Sequence, residues 1–144
     1  MEPIKELTLN KKMANQYLIM GGVALLVGMI LFALAGNGML IGFGILFMIM
    51  GGLNKNLKVV TIHNQYLEIK LGIIASKKLI KYNQITSFSI VKKVLELHYI
   101  DEANKPKKVR IQVKALEKED ITALDKVLHE KTDLEGTNSL ILIK

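Results

Sequence analysis

The chain contains no cysteine. Disulfides, thiol nucleophiles and cysteine-ligated zinc or iron–sulfur centres are therefore excluded, and a reducing compartment is compatible with that absence. A second absence is local: residues 13–54, forty-two in succession, include no Asp, Glu, Lys, Arg or His. A third is of motifs. No HExxH, GxSxG, Walker glycine loop or paired-carboxylate arrangement occurs, and His63, His98 and His129 have no short ligand spacing. Without a nucleophile beside a base, or a ligand set, no catalytic residue, metal or cofactor is assigned, and a non-enzymatic role is expected.

The uncharged stretch sets the architecture. At about 1.5 Å of rise per residue, one helix of that length would be roughly twice as long as a hydrocarbon core of about 30 Å requires. Ala35-Gly36-Asn37-Gly38 offers a break, because two glycines and an Asn supply the backbone freedom of a tight connection. The pattern predicts helices over residues 15–35 and 39–53, a two-span transmembrane hairpin. Enclosing two helices that are apolar all round would be a heavy demand on the ninety residues that follow, and a cleaved signal would have a single short apolar region. Lys5, Lys11 and Lys12 precede the stretch, Lys55 and Lys58 follow it, and the turn is uncharged. Positive flanks of this kind predict a multi-pass protein of the inner, cytoplasmic membrane with both termini cytoplasmic.

Ala24 and Gly28, and Gly38 and Gly42, are small residues four apart, the spacing at which membrane helices approach closely. No ionisable side chain lies at membrane depth, so proton relays, coupled transport and charged ion filters have no support. A carbonyl-lined or apolar pore stays open, which leaves an oligomeric small channel or transport accessory subunit as the alternative function.

Outside the stretch, the sequence divides into a cytoplasmic lead-in at 1–12, a soluble domain at 55–131 and a tail at 132–144. The lead-in is expected either as a short interfacial segment or as a frayed terminus. After Asn54 the apolar period changes from helical to alternating. Strands are predicted over 57–62, 66–71, 73–81, 85–91, 94–100 and 107–114, with Leu67, Ile69 and Leu71, and Val109, Ile111 and Val113, facing inward. Six short strands predict an antiparallel sheet curled toward a barrel. From Leu116 the period is helical again, and Ile121, Leu124, Val127 and Leu128 form one stripe that can cover the sheet. The chain ends Leu140-Ile141-Leu142-Ile143-Lys144, expected as an added edge strand, as a segment docked on a neighbouring subunit, or as a disordered tail.

Residues 66–91, YLEIKLGIIASKKLIKYNQITSFSIV, carry a resemblance to a known family. A strand leading to Gly72, then Ile80-Lys81-Tyr82-Asn83-Gln84-Ile85-Thr86, resembles the hairpin and strand-entry pattern of the bacterial pleckstrin-homology-like membrane proteins. Lys81 stands where that family commonly has proline, and Ile74 is the second apolar residue after Gly72. The resemblance implies an α+β membrane protein: a two-helix hairpin, then a PH-like curled antiparallel β-barrel capped by a C-terminal helix, often self-associating and without a shared catalytic motif.

The formal charge is +7. From Asn54 onward seventeen basic side chains face eleven acidic ones, an excess suited to an anionic membrane surface. Lys108, Arg110 and Lys114, extended by Lys105 and Lys107, form one expected basic face; Lys77, Lys78 and Lys81, with Lys92 and Lys93, form a second cluster. Each is read as lipid contact, as a face for an acidic protein, or as solvated surface. No stacking platform accompanies the charge, so nucleic acid is not an expected partner. The expected partners are membrane lipids, further copies of the chain, and a membrane or cytoplasmic protein. The whole is a membrane-anchored binding or assembly module.

Overall fold

The computed structural model describes residues 2–134, in two compact units: Leu9–Leu57, and a second unit formed by the N-terminal strand together with the chain from Lys58 onward. The terminal Leu140-Ile141-Leu142-Ile143-Lys144 segment, and with it the expected strand addition, lies outside the described residues.

The first unit is a pair of helices, α1 (Lys11–Ala35) and α2 (Met39–Lys55). Asn10 starts α1 by accepting the Lys12 amide at 2.9 Å on its side-chain oxygen. Gly36 ends it in the left-handed region at φ +66°, where a side chain would be strained, and the Asn37 side chain accepts the Met39 amide at 3.1 Å to open α2. The Leu9 N–H donates to the Leu57 carbonyl at 2.9 Å, tying the entry and exit of the pair together.

Two membrane spans are not what these helices provide. Among the described residues α1 is the one helix long and apolar enough to cross a membrane. With 17 residues α2 rises only about 25 Å, short of a hydrocarbon core of about 30 Å, and it ends in Asn54 and Lys55. The multi-pass, inner-membrane placement with both termini cytoplasmic depended on a second span and does not follow from one.

Among the described residues the second unit holds seven strands in two antiparallel sheets, followed by α3 (Lys118–Lys131). The first sheet has the order β1-β2-β3-β4, with β1 (Lys5–Thr8), β2 (Lys58–Ile62), β3 (Tyr66–Ile69) and β4 (Lys78–Lys81). The second has the order β5-β6-β7, with β5 (Ile85–Val91), β6 (Val94–Ile100) and β7 (Pro106–Gln112). The N-terminal segment is thus not a lead-in but an edge strand. Leu7 pairs with Val60 and is fully buried, so the helix pair is inserted in the chain between two hydrogen-bonded strands.

Nor do the strands close into a curled, PH-like barrel. No ladder joins the two sheets among the described residues, and the local chemistry shows why. The amide of Lys81, at the end of β4, is taken by the Gln84 side chain at 3.1 Å, and a short 3-10 turn at Tyr82–Gln84 then carries the chain into the second sheet. The expected strand over 73–81 forms only as β4; residues 70–77 make a bent connection in which Gly72 accepts the Ala75 amide at 3.2 Å. Leu71, expected inward, follows the last rung of β3 and is exposed.

The core of this unit draws one face from each sheet and one stripe from α3. Val60, Ile62, Leu67, Phe88, Leu97 and Ile111 are buried on the strands, and Ile121, Leu124 and Leu128 are buried on the helix. Lys5 of β1 meets Asp120 of α3 at 3.2 Å, while the Phe88 ring meets His129 edge-on with centroids 5.1 Å apart. Contacts from α3 therefore reach both sheets.

Candidate functional site

The helix pair packs through glycine. A Cβ on Gly21 would lie 2.8 Å from the Met48 amide nitrogen, one on Gly28 2.8 Å from that of Ile41, one on Gly44 2.8 Å from that of Leu25, and one on Gly51 2.9 Å from that of Leu18. Positions 14, 21 and 28 of α1, all small and buried, are spaced by seven, as are 44 and 51 of α2. Leu18 and Leu25 fall between the small residues of α1, and each packs on a glycine of α2, as side chains do when they fill holes in a facing helix. Of the positions expected from four-residue spacing, Gly28 lies in this seam and Ala24 is half-buried. Gly42 has open space around it, and Gly38 sits in the turn with only the Phe32 ring near it.

What the seam leaves outside is apolar. Ile19, Val23, Leu26, Ile30, Phe32 and Leu34 are exposed on α1, as are Met39, Phe43, Leu46, Ile49 and Leu53 on α2. Leu34, at 80% exposure, has almost no protein around it. Contiguous apolar surface of this extent marks a membrane or a partner.

The expected basic faces are redistributed in the sheet unit. Arg110 donates to Glu96 across the strand pair at 2.7 Å, and the Arg110 guanidinium holds the Glu96 carboxyl below its usual range. Lys107 meets Asp101 at 2.7 Å. That contact raises the Lys107 ammonium and, with the amides of Lys105 and Ala103, lowers the Asp101 carboxyl. Lys77 is paired with Glu68 at 2.7 Å, which raises its ammonium, and Lys81 is paired with Glu102 at 3.4 Å. Lys108 lies on β7 opposite His98, Lys105 is exposed in the β6–β7 turn, and Lys78 is exposed on β4. Lys114 does not continue the β7 row: the strand ends at Gln112, and Val113–Ala115 form a 3-10 turn.

That turn brings Lys114 to a different neighbour. The Val113 N–H donates to the Lys93 carbonyl at 3.0 Å, so Lys114 stands beside the Lys92-Lys93 tip of the β5–β6 hairpin. Val91 pairs with Val94, and the two lysines between them have φ of +49° and +66°. Both central residues of a two-residue hairpin turn take positive φ in the geometry that usually selects Asn-Gly. The two-residue gap between alternating runs was the sequence signal for this hairpin. Its neighbourhood with Lys114 depended on where β7 stops. Lys81, by contrast, is tied to the β6–β7 turn, at the other end of strands seven residues long.

A cleft of about 730 Å³ opens beside β4, lined by Tyr66, Leu79, Lys81, Tyr99, Asp101 and Glu102 among others. A neighbouring one of about 410 Å³ shares Tyr66 and Lys81 and adds Tyr82 and Lys131. In the larger cleft Asp101 is held by Lys107 and two amides and Glu102 by Lys81, so its carboxylates already have partners. Sequence spacing contained no sign of either cleft, because their walls come from separate turns.

The histidines occupy unrelated places. His63 is buried, stacked on Tyr66 with centroids 4.4 Å apart, and neither ring nitrogen has a hydrogen-bond partner among the described residues. His98 lies 3.5 Å from Glu96, and His129, on the last turn of α3, lies 3.6 Å from Asp125. Among the described residues no group of three His, Asp or Glu side chains is placed to hold a metal ion. No protein-family model, curated protein or solved structure matches the chain.

Proposed function

We propose that this protein is a membrane-held binding or assembly module: its apolar helix pair contacts lipid, with α1 the helix long enough to cross a bilayer, and its two-sheet unit engages a protein partner or an anionic lipid surface. One observation carries the membrane part. The helix pair turns Gly21, Gly28, Gly44 and Gly51 inward and most of its large Leu, Ile, Phe and Met side chains outward, with no charged residue from 13 to 54. In water such a surface would drive association; in hydrocarbon it is solvated, and close backbone approach supplies the packing between the helices. The binding part is supported by an unbalanced positive charge and by open clefts whose carboxylates are already paired.

The test is extraction. Membranes from cells producing the full chain are washed with alkaline carbonate and then with mild detergent. Retention through the first wash and release by the second is the expected result. Recovery in the carbonate supernatant as a folded soluble protein would overturn the membrane part. Detergent-solubilised protein is then weighed with whatever co-purifies: a discrete complex, or binding to anionic vesicles, supports the module. A lone monomer indifferent to both opposes it.

A further inference from the structure

At the β5–β6 hairpin tip positive charge gathers without acidic partners among the described residues. Lys92, Lys93 and Lys114 make no ion pair among the described residues, whereas Lys77, Lys81, Lys107 and Arg110 are each paired with a carboxylate. Beside these lysines Val91 is 48% exposed. The turn itself does not call for lysine: two side chains are held at positive φ, where Gly or Asn is accommodated more easily.

Resting on the membrane-held reading above, we infer that this tip docks on an anionic bilayer surface, with Lys92, Lys93 and Lys114 against headgroup phosphates and carboxylates and Val91 set between the headgroups. Three lysines and one exposed valine suit that occupant. Long lysine stems lie along apolar surface while their ammonium groups reach polar oxygens, and attraction to anionic lipid adds with each charge. An acidic protein suits it less well. A stable protein interface buries about 800 Å² on each partner, which a two-residue turn does not offer by itself, whereas a bilayer requires no matching concavity.

The absence of native cysteine makes the test clean. An environment-sensitive fluorophore on Val91→Cys reports the tip in the full chain, reconstituted in nanodiscs of phosphatidylcholine alone or with phosphatidylserine. A blue shift only in the phosphatidylserine discs, reversed by high salt, is expected. The double change Lys92→Asn, Lys93→Gly keeps or improves the turn while removing two charges, and should reduce the docked fraction by about tenfold or more. Equal emission in both lipids, an unaltered shift in the double variant, or a probe that responds only to an added acidic protein overturns the inference. Retention in the discs is scored separately. Loss of the chain from the discs overturns the membrane-held reading and this inference with it, while retention with a silent probe overturns the tip alone.

Discussion

The two units sort their side chains in opposite senses. In the sheet unit the fully buried positions are large and apolar, Phe88, Leu97, Ile80 and Leu124 among them, and the exposed ones are mostly polar or charged. In the helix pair the buried positions are Ala14, Gly21, Gly28, Gly44, Gly51 and Asn54, and the large apolar side chains are outside. The sheet unit follows the arrangement that water imposes, where hiding apolar area is the main favourable term. On the membrane-held reading proposed above, the helix pair follows a rule for a medium as apolar as its own side chains. There, hiding leucine gains little, and backbone proximity and van der Waals contact decide the packing.

That contrast is easiest to break at the centre of the sheet unit. Phe88 is fully buried, with its ring against His129 of α3. Phe88→Ala should lower stability by about 3–5 kcal/mol, from lost transfer energy plus the cavity left behind. Denaturant unfolding of the full chain in mild detergent, followed by tyrosine fluorescence, measures it. A loss under about 1 kcal/mol would mean that this core is not packed as in a water-soluble domain.

In the helix pair the sensitive position is a glycine. A Cβ on Gly44 would sit 2.8 Å from the Leu25 amide nitrogen and 3.0 Å from the Gly21 carbonyl oxygen, so backbone must move. Gly44→Ala should loosen the pair by about 1–3 kcal/mol, as overpacking does. Gly42→Ala, two residues away with open space around it, should be neutral or gain about 0.5–1 kcal/mol from helix propensity. Hydrogen exchange of α1 and α2 amides in detergent reads both. Equal protection in the two variants would remove the glycine seam from the explanation.

How much of this was legible beforehand depended on whether the determining interaction was local. The break at Gly36 and Asn37, the β6 alternation and the α3 stripe are written in neighbouring residues, and the expected limits fell within a few positions of those found. Strand β1 was not legible. It is four residues long with one buried side chain, and its partner β2 lies some fifty residues downstream, across the whole helix pair. The glycine seam was half legible: small residues abound in both helices, but which of them face inward depends on the neighbour, and the operative spacing is seven rather than four. The ion pairing on β7 was hidden for the same reason. Alternation placed Arg110 outward correctly, but only the cross-strand register puts Glu96 beside it.

The smallest expected loss of stability lies where the sheet unit buries something polar. Tyr82 is buried, and its hydroxyl donates to the His63 carbonyl at 2.8 Å. Tyr82→Phe removes that donor with little change of shape and should destabilise the unit by about 1–2 kcal/mol at neutral pH. Burial also pushes the phenol up to about 12 from its ordinary 10.0. The group is neutral when protonated, and its folded value exceeds its unfolded one. Its contribution is therefore complete below pH 10 and is lost as the pH rises from about 10 through about 12. Wild type should thus lose stability across that window more steeply than Tyr82→Phe, so that the two converge at the alkaline end. Parallel pH profiles of the two proteins would show that Tyr82 is hydrated rather than buried. The sorting of side chains by water would then stop short of the turn that separates the two sheets.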